Sequence, residues 1–405
     1  MRVGLVTLDF PPFRSSGLTV YAESVAYGLA RRGHAVTVVA ARRPESDRVP
    51  VPPRPEPLAV VRLPVGRADW IGLGWQAARY LRAHGRDFDV VHFVDVHFAY
   101  ACRGPYVASA FQSFRQRLTS HRGGPYCTTW RDCLLRRIYY TAARWLLERP
   151  AVRRARWLVA ASESTRQEFI THYGADPART QRVYLGVDPH RFDGLAPRAA
   201  ARRQLGLPLD EPLLLFVGFA NPRKGLEYLA EALRMMRTPV HLAVVGKWAP
   251  GYRERLAAAL GERGAALHAP GYVPDADLLL YYAAADLFVL PTLLEGFGIP
   301  LVEAMAAGLP VVTTTGGSAG EVAGEGGLAV PPGDGAALAA ALERVLNDPG
   351  LAEQLARAGQ SRARTLFDES RTAAEIEAVY QKVTQDRGGG PEFNPGPPAR
   401  GTAPP

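Results

Sequence analysis

Short apolar runs alternate with stretches of helical periodicity along most of this chain, and this alternation restricts the fold more than any other feature. The runs cover residues 3–8, 35–40, 58–63, 88–94, 213–218, 240–246 and 309–314. Strands that alternate with helices pair in parallel, and helices cover the sheet that they form. The Pro- and Gly-bearing stretch 186–212 separates the runs into two blocks. The pattern therefore predicts an α/β protein with two doubly wound domains.

The chain length agrees with two domains, because 405 residues exceed what one hydrophobic core usually supports. Ligands of open parallel sheets bind beyond the carboxyl ends of the strands, so two such domains facing each other form a cleft lined by loops from both. The predicted organisation is a first domain over residues 1–190, a second over 191–366, a terminal helix over 367–385 and a disordered, Pro- and Gly-rich tail over 386–405.

The cysteines and the first residues indicate the compartment. Cys102, Cys127 and Cys133 show no C-x-x-C spacing, so neither a disulfide framework nor a zinc site is predicted. The first apolar run meets Pro11 and Pro12 within a few residues, unlike a signal peptide. No stretch approaches the ~20 apolar residues of a membrane span. A reduced, cytoplasmic setting is therefore expected.

Residues 291–308, PTLLEGFGIPLVEAMAAG, place two glutamates around a glycine-rich turn that opens a helix, and Pro300 predicts that this helix starts near residue 300. Free amides at such a helix start carry positive partial charge, and Gly296 and Gly298 let the backbone approach a diphosphate closely. Glu303, predicted in the first helical turn, can accept hydrogen bonds from a ribose diol, and Glu295 in the loop can reach a sugar ring. The stretch thus predicts a site for a phosphorylated sugar. The alternative is an ordinary acidic residue at a helix start, which Glu303 alone would satisfy.

Glu295, seven further residues and Glu303 resemble the E-x7-E motif of the retaining GT-B glycosyltransferases of family 4, the glycosyl transferases group 1. The resemblance covers nearly the whole chain. It implies two facing Rossmann-like domains, the first binding the acceptor and the second the nucleotide sugar, with the terminal helix crossing back to the first domain. It also implies metal-independent transfer of a sugar, without a cofactor, from a nucleotide-diphosphate sugar to a hydroxyl of a glycolipid, cell-envelope glycan or small molecule.

The segment after the first strand of the second block resembles the family's diphosphate-binding loop. The family usually has an arginine directly after the glycine that stands here as Gly218, and this chain has Phe219 instead. Arg223 is the expected substitute because a guanidinium binds diphosphate oxygens bidentately. The resemblance thus assigns Arg223 and Lys224 to neutralising the leaving diphosphate and Glu295 to the sugar hydroxyls. The alternative is that both cations are solvated loop charges.

Other donor contacts carry over from the same resemblance. Ser16 stands where the family usually has the first of two glycines, and a simple helix cap is the alternative interpretation at this position. Tyr272 and Val273 resemble the segment that holds the base through its backbone. The predicted donor-binding residues are Ser16, Gly17, Gly218, Gly246, Val273, Gly296, Phe297, Gly298, Ile299 and Glu303.

In the first domain, acceptor contacts are expected at Asp95, His97 and Gln112. The family's histidine near the sugar is absent, because Phe111 and Gln112 stand in its place, and Gln112 is the expected hydrogen-bonding replacement. His92 lies within a strand pattern and is interpreted as a core histidine.

Two other functions stay open at the level of sequence. A nucleotide-sugar epimerase shares the architecture, although the E-x7-E context is that of transferases. A non-catalytic nucleotide-sugar-binding protein is the second alternative, because of Phe219 and the missing histidine. The pattern identifies neither sugar, base, acceptor nor oligomeric state, and a nucleic-acid partner is not expected.

Positive charge is concentrated in residues 113–157, where eleven arginines stand against Asp132 and Glu148 for a net +9, equal to that of the whole chain. Apolar residues follow helical spacing from Leu134 onward, and arginines lie off that stripe. A basic amphipathic helix of this kind can bind an anionic membrane surface, which would place the protein peripherally at the inner membrane face. It can equally pack its apolar face on the first domain.

Overall fold

The computed structural model describes residues 1–12, 17–42, 58–66, 69–120, 129–261 and 266–386. Ser16 and the tail from residue 387 onward lie outside these ranges. Within them, a first sheet has seven strands, β1 (Arg2–Thr7), β2 (Ala35–Arg42), β3 (Ala59–Pro64), β4 (Val90–Phe93), β5 (Val107–Ala110), β6 (Trp157–Ala160) and β7 (Thr180–Arg182). A second sheet has six, β8 (Leu213–Val217), β9 (His241–Val245), β10 (Leu267–Gly271), β11 (Leu287–Leu290), β12 (Val311–Thr314) and β13 (Gly327–Val330).

Helices connect the strands in both halves of the chain. Those of the first half are α1 (Gly17–Arg31), α2 (Asp69–His84), α3 (Phe114–Thr119), α4 (Trp130–Ala143), α5 (Arg149–Arg154) and α6 (Glu163–Tyr173). Those of the second half are α7 (Arg198–Leu205), α8 (Leu226–Met235), α9 (Tyr252–Leu260), α10 (Asp275–Ala284), α11 (Ile299–Ala306), α12 (Ala319–Ala323), α13 (Gly335–Asn347), α14 (Pro349–Leu366) and α15 (Glu369–Gln385).

Both sheets are wholly parallel, and the order of their strands reverses direction once. The first runs β3-β2-β1-β4-β5-β6-β7 and the second β10-β9-β8-β11-β12-β13. Central strands such as β8 are buried along their whole length, as expected for apolar strands covered on both faces. The order reverses between β1 and β4 and between β8 and β11, and ligands of open parallel sheets bind at such points.

The last helix, α15, packs on the first domain although it follows the second. Tyr380 in α15 has its hydroxyl 2.7 Å from His92 Nδ1, and His92 Nε2 lies 2.8 Å from the Ser109 hydroxyl. Burial lowers the pKa of His92 to about 3, so the ring is neutral. His92 is therefore a core histidine, as its place in a strand pattern predicted.

The Arg-rich segment, residues 113–157, contains α4 and a π-helical turn, Arg144–Glu148. Tyr140 and Ala143 are buried and form a small core with Phe114 of α3. The predicted apolar stripe does not pack inward, because Leu135 is 66%, Ile138 59% and Leu146 72% exposed. The interpretation in which this stripe packs on the first domain is therefore wrong. Among the described residues, none of the helices is long and apolar enough to span a membrane.

Two cysteines differ in state. Cys133 in α4 is disulfide-bonded, so the expectation that the cysteines form no disulfide is wrong. Cys102 is a buried free thiol, and burial raises its pKa to about 11. Because a disulfide is more typical of oxidising surroundings, the cysteines no longer support a reducing compartment.

Candidate active site

The loop between β8 and α8 brings a lysine next to the loop that follows β11. A 3-10 turn, Pro222–Lys224, follows β8 and ends at Gly225, whose φ is +68°. A Cβ at Gly225 would lie 2.1 Å from the Pro291 carbonyl oxygen, so only glycine fits this approach. The two loops therefore touch at the point where the strand order of the second sheet reverses, and the side chain of Lys224 is buried there.

Glu295 lies in the β11 loop and contacts both cations of the β8 loop. Lys224 Nζ donates a hydrogen bond to Glu295 Oε2. Arg223 Nη1 lies 3.5 Å from Oε1, and the Gly296 N–H donates to the same oxygen at 3.2 Å. Burial raises the pKa of Glu295, but the charges of Lys224 and Arg223 outweigh burial and lower it to about 2. The structure thus brings together the three residues predicted to be catalytic, and Lys224 is not a solvated loop charge.

The backbone of Glu295 is fixed by the segment that follows β12. The Glu295 N–H donates to the Gly316 carbonyl oxygen at 3.1 Å, and the Ser318 N–H donates to the Glu295 carbonyl oxygen at 3.1 Å. Gly317 has φ +69°, and a Cβ there would lie 2.2 Å from that same carbonyl oxygen. Backbone contacts on both sides therefore determine where the Glu295 carboxylate lies.

Two helix starts meet across the domain boundary. α11 begins at Ile299 after Gly298, whose φ is +96°, and no side chain caps it. α1 begins at Gly17, where a Cβ would lie 3.3 Å from Ile299 Cδ1. Helix starts present free N–H groups and positive partial charge, which suits an anion such as a diphosphate. The predicted donor contacts Gly17, Gly298 and Ile299 are therefore neighbours, whereas Phe297 is buried and packs its ring on Phe367.

Glu303 is the fifth residue of α11, so it begins the second turn and not the first, as had been predicted. The helix starts one residue earlier than the pattern indicated. The Tyr282 hydroxyl donates to Glu303 Oε2 at 2.8 Å, and Arg191 Nη1 lies 3.6 Å from Oε1. Burial raises the pKa of Glu303, although Tyr282 and Arg191 oppose this effect.

The remaining donor positions lie at adjacent strand ends. Gly218 follows β8 with φ +147° and Gly246 follows β9 with φ +135°. A Cβ at Gly246 would lie 2.1 Å from the Gly218 carbonyl oxygen, so the two strand ends are in close contact. Val273 comes two residues after β10 and packs against the core, while Phe219 is 52% exposed. The position at which the family has an arginine is thus taken by a solvent-facing ring.

Gln112 reaches the site from the first domain. It follows β5, and its side-chain amide donates to the Leu294 carbonyl oxygen at 3.4 Å. A Cβ at Gly296 would lie 3.2 Å from Gln112 Cγ and 3.3 Å from Phe111 Cβ. The residue predicted to replace the missing histidine therefore lies against the loop that carries Glu295.

Asp95 and His97 are buried and paired within the first domain. His97 Nδ1 lies 2.6 Å from Asp95 Oδ1, and His97 Nε2 lies 2.9 Å from Glu148 Oε1. Burial lowers the pKa of His97, but the two carboxylates outweigh it and raise the pKa to about 9. Both ring nitrogens have partners, so an acceptor contact by His97 would require it to give one of them up.

Sequence reasoning missed several partners of the predicted residues. Tyr282 and Arg191 hold Glu303, and Glu148 holds His97. Arg191 lies in the stretch 186–212, whose Pro and Gly content indicated only a boundary. None of these residues belongs to a local motif. The only sequence signal that could have identified one of them was the position of Tyr282 within an apolar helix pattern.

Comparisons with known proteins agree with this geometry. Residues 197–362 match the family of glycosyl transferases group 1, and residues 15–191 match glycosyltransferase family 4. An uncharacterised glycosyltransferase of Methanocaldococcus jannaschii is 27% identical over 404 residues, which cover 94% of this chain and 98% of that protein. An MMP α-(1→4)-mannosyltransferase of Mycolicibacterium hassiacum is 30% identical over 326 residues, which cover 76% of this chain and 74% of that protein.

A solved structure gives the same answer for the fold. Sucrose-phosphate synthase from Thermosynechococcus elongatus superposes with a TM-score of 0.77 at 22% identity, over 95% of this chain and 99% of that chain. The predicted GT-B fold is therefore confirmed. With both sheets, the E-x7-E loop and two family matches in agreement, the chain belongs to the group 1 glycosyltransferases, family 4.

Proposed function

We propose that this glycosyltransferase transfers a sugar from a nucleotide-diphosphate sugar to a hydroxyl acceptor, with retention at the anomeric carbon and without a metal ion. The observation that carries the proposal is the buried ion pair between Lys224 and Glu295, with Arg223 beside it. The pair lies where the strand order of the second sheet reverses, next to the start of α11. Parallel sheets bind nucleotides at such points.

The proposed donor diphosphate binds the two cations in place of Glu295. A buried ammonium group needs an anionic partner, and Glu295 supplies it in this structure. When phosphate oxygens take over that role, the Glu295 carboxylate becomes available to the hydroxyls of the sugar. Lys224, Arg223 and the helix amides then stabilise the charge that grows on the departing phosphate, which makes a metal ion unnecessary for this purpose.

Two further residues complete the proposed assignment. Glu303 accepts hydrogen bonds from the ribose diol, and Tyr282 and Arg191 orient its carboxylate. Gln112 brings the acceptor-binding domain against the Glu295 loop. The acceptor oxygen forms its bond to the anomeric carbon on the same face of the sugar from which the phosphate departs. The leaving phosphate oxygen takes the proton of the acceptor hydroxyl. Glu295 binds the sugar and does not attack it.

A donor panel followed by product analysis tests this function. Thermal unfolding is recorded with UDP-, GDP-, ADP- and dTDP-sugars, because a ligand at 100 times its Kd stabilises a protein by ~2.7 kcal/mol. The donor that stabilises the protein is then incubated with glycolipid, glycan and small-molecule acceptors after treatment with a chelator. We expect a glycosylated product whose anomeric configuration, read by NMR, equals that of the donor. An epimerised donor, an inverted product or binding without turnover would contradict the proposal.

We also propose that the exposed face of α4 and the turn after it bind an anionic membrane surface. Leu135, Ile138 and Leu146 point to solvent and carry no apolar cover from the described part of the chain. Exposed Arg131 and Arg137 lie among them. Apolar side chains beside arginines match the two layers of a bilayer surface, acyl chains below and phosphates above.

Vesicle sedimentation tests the membrane proposal directly. The protein is spun with neutral and with anionic vesicles at low and at high salt. We expect it to pellet with anionic vesicles at low salt and to be released by salt, because screening weakens each contact with lipid phosphates. Equal recovery in the supernatant under all four conditions would exclude this surface as a membrane contact.

A further inference from the structure

One carboxylate of the second domain is bound to the first domain by three hydrogen bonds. Glu321 in α12 accepts from the Glu163 N–H at 2.7 Å through Oε1 and from the Ser164 N–H at 2.9 Å through Oε2. The Tyr184 hydroxyl donates to Oε1 at 3.0 Å. All three donors belong to the half of the chain that forms the first sheet, whereas α12 follows β12 of the second sheet.

The two amides are the unpaired donors at the start of α6. The first N–H groups of a helix have no partner inside it, and a carboxylate there also interacts favourably with the helix dipole. Ser162, the residue before α6, accepts only from Thr165 and leaves the Glu163 and Ser164 amides unpaired. Glu321 supplies the missing partner from the other domain, in a two-oxygen arrangement that is strong because it carries charge.

The helix that carries Glu321 directly follows the segment that holds Glu295. α12 begins at Ala319, directly after Ser318, whose N–H donates to the Glu295 carbonyl oxygen at 3.1 Å. Arg362 fixes α12 by donating to the carbonyl oxygens of Glu321 at 2.8 Å and Val322 at 3.0 Å. A force that moves α6 relative to α12 therefore acts within three residues of the Glu295 contact.

Tyr184 makes the connection through its ring as well as its hydroxyl. Its ring centroid lies 6.2 Å from that of Phe297, in the loop that carries Glu295, and 5.1 Å from that of Phe367, before α15. The hydroxyl of the same residue reaches Glu321. This tyrosine thus contacts the loop that carries Glu295, helix α12 and the chain segment that returns to the first domain.

We propose that Glu321 is a positioning residue that holds the two domains in the arrangement required for sugar transfer, by capping α6 of the first domain from the second. In this arrangement Gly17 and Gln112 reach Ile299 and the Glu295 loop. Without the Glu321 carboxylate, the α6 amides lose their partners and the domains separate more readily. The catalytic part of this inference rests on the proposed sugar transfer, whereas the structural part does not.

The experiment compares Glu321→Ala, Glu321→Gln and Tyr184→Phe with the wild type. Glu321→Gln keeps the shape but opposes one amide with an NH2 group. Tyr184→Phe keeps the ring contacts but removes the hydroxyl, which donates to Glu321 Oε1 and accepts from Arg182 Nη1 at 3.2 Å. Glu325→Gln is the matched control, because Glu325 is exposed in the turn after α12 and its substitution removes the same charge. Glu325 takes no part in the proposed site.

Three readouts are used, and two need no turnover. Amide exchange of the peptide that contains Glu163 and Ser164 should accelerate at least about tenfold in Glu321→Ala, the factor that corresponds to losing one charge-assisted hydrogen bond. The radius of gyration from solution scattering should rise. Turnover should fall about tenfold while the Kd for the nucleoside diphosphate changes by less than about threefold, because binding to the second domain is retained. Glu321→Gln and Tyr184→Phe should give smaller effects in the same direction.

The outcomes separate the two proposals. If amide exchange and scattering of Glu321→Ala equal those of Glu325→Gln, Glu321 does not hold the domains and the inference is overturned. If they change but turnover equals that of the control, the positioning role is overturned. A parallel loss of turnover and nucleotide affinity would mean that the second-domain site itself is damaged, which also overturns it. Failure to find any sugar transfer in the wild type would count against the proposed function alone, since exchange and scattering would still decide whether Glu321 holds the domains.

Discussion

Lys224 and Glu295 follow two neighbouring strands of the second sheet, β8 and β11, and form a buried ion pair between the loops of those strands. Removing one partner of a buried pair leaves the other charge without compensation. Another anion can therefore replace Glu295 beside Lys224 more easily than the ion pair can break without a replacement. In the function proposed above, a diphosphate with several anionic oxygens is that replacement, and the exchange would connect binding of the donor to the release of Glu295.

The first prediction concerns the two cations. We expect Lys224→Ala and Arg223→Ala each to lower turnover by ~10² to 10³, because a fixed donor to a growing charge contributes by that factor. Affinity for the free nucleoside, which carries no phosphate, should change little. Steady-state kinetics and calorimetry with the nucleoside measure both quantities. Arg357→Ala, at an exposed arginine of α14, is the control. If Arg223→Ala keeps the turnover of this control, Arg223 does not replace the family's arginine.

The second prediction separates the two glutamates of the motif. Glu303→Gln should weaken binding of the nucleoside diphosphate by ~1.5 to 3 kcal/mol, because a ribose diol loses a charged acceptor. Glu295→Gln should lower sugar transfer while leaving that affinity nearly unchanged. Calorimetric titration of each variant with the preferred nucleoside diphosphate gives the affinities. Equal losses of affinity in both variants would refute the division of roles.

The third prediction compares two glycines with nearly the same backbone conformation. Gly225 has φ +68° and Gly206 has φ +66°, but a Cβ meets the Pro291 carbonyl oxygen only at Gly225. Gly206→Ala should cost ~1 to 2 kcal/mol of the free energy of unfolding from backbone strain alone. Gly225→Ala should cost more and should also abolish turnover, because the β8 and β11 loops must separate. Chemical unfolding and kinetics test this, and equal costs for both variants would show that the loops are not in firm contact.

A fourth prediction follows from the buried array of Asp95, His97 and Glu148. Its two carboxylates raise the pKa of His97 from 6.5 to about 9. The stabilisation that the protonated His97 gives the folded protein is therefore complete below about pH 6.5 and is lost as the pH rises through about 9. The wild type should have a larger free energy of unfolding than His97→Gln at low pH. We expect this difference to shrink by up to ~3 kcal/mol over this window. Denaturant titrations of both proteins at pH 6, 7.5 and 9 measure it, and a constant difference would mean that folding does not raise the pKa of His97.

Local sequence patterns predicted the central strands and the residues of the loop that carries Glu295, because the structure of both depends on residues that are neighbours in sequence. Strands β5, β6, β7, β10 and β13 were missed, since each has only three to five residues and a short apolar run does not distinguish a strand from a buried helix turn. The helix that carries Glu303 began one residue earlier than predicted, because Gly298 takes a left-handed conformation that a sequence pattern does not specify.

The contacts that hold the site together were less accessible to sequence reasoning. Glu321 and Glu163 are separated by 158 residues and Gln112 and Leu294 by 182, so only the fold brings them together. The sequence left the orientation of α4 open between two alternatives for a related reason. Its helical spacing identified an apolar stripe correctly, but Tyr140 and Ala143 beside that stripe pack on Phe114 and turn the stripe toward solvent.

The last prediction tests that solvent-facing stripe as the membrane contact. We expect Trp130→Ser/Leu135→Ser/Leu146→Ser to lower binding to anionic vesicles at least about tenfold, since each apolar side chain that leaves water contributes ~1.5 to 3 kcal/mol when fully buried. Arg131→Gln/Arg137→Gln should weaken binding at low salt by about tenfold or more, because each arginine near an anionic leaflet contributes ~1 kcal/mol. Leu209→Ser, at a leucine of the second domain that is 47% exposed, is the control and should bind like the wild type. All four proteins should glycosylate a soluble acceptor at the same rate, because the substituted side chains lie outside the proposed site. If the serine variant pellets as the control does, another surface carries the protein to the membrane.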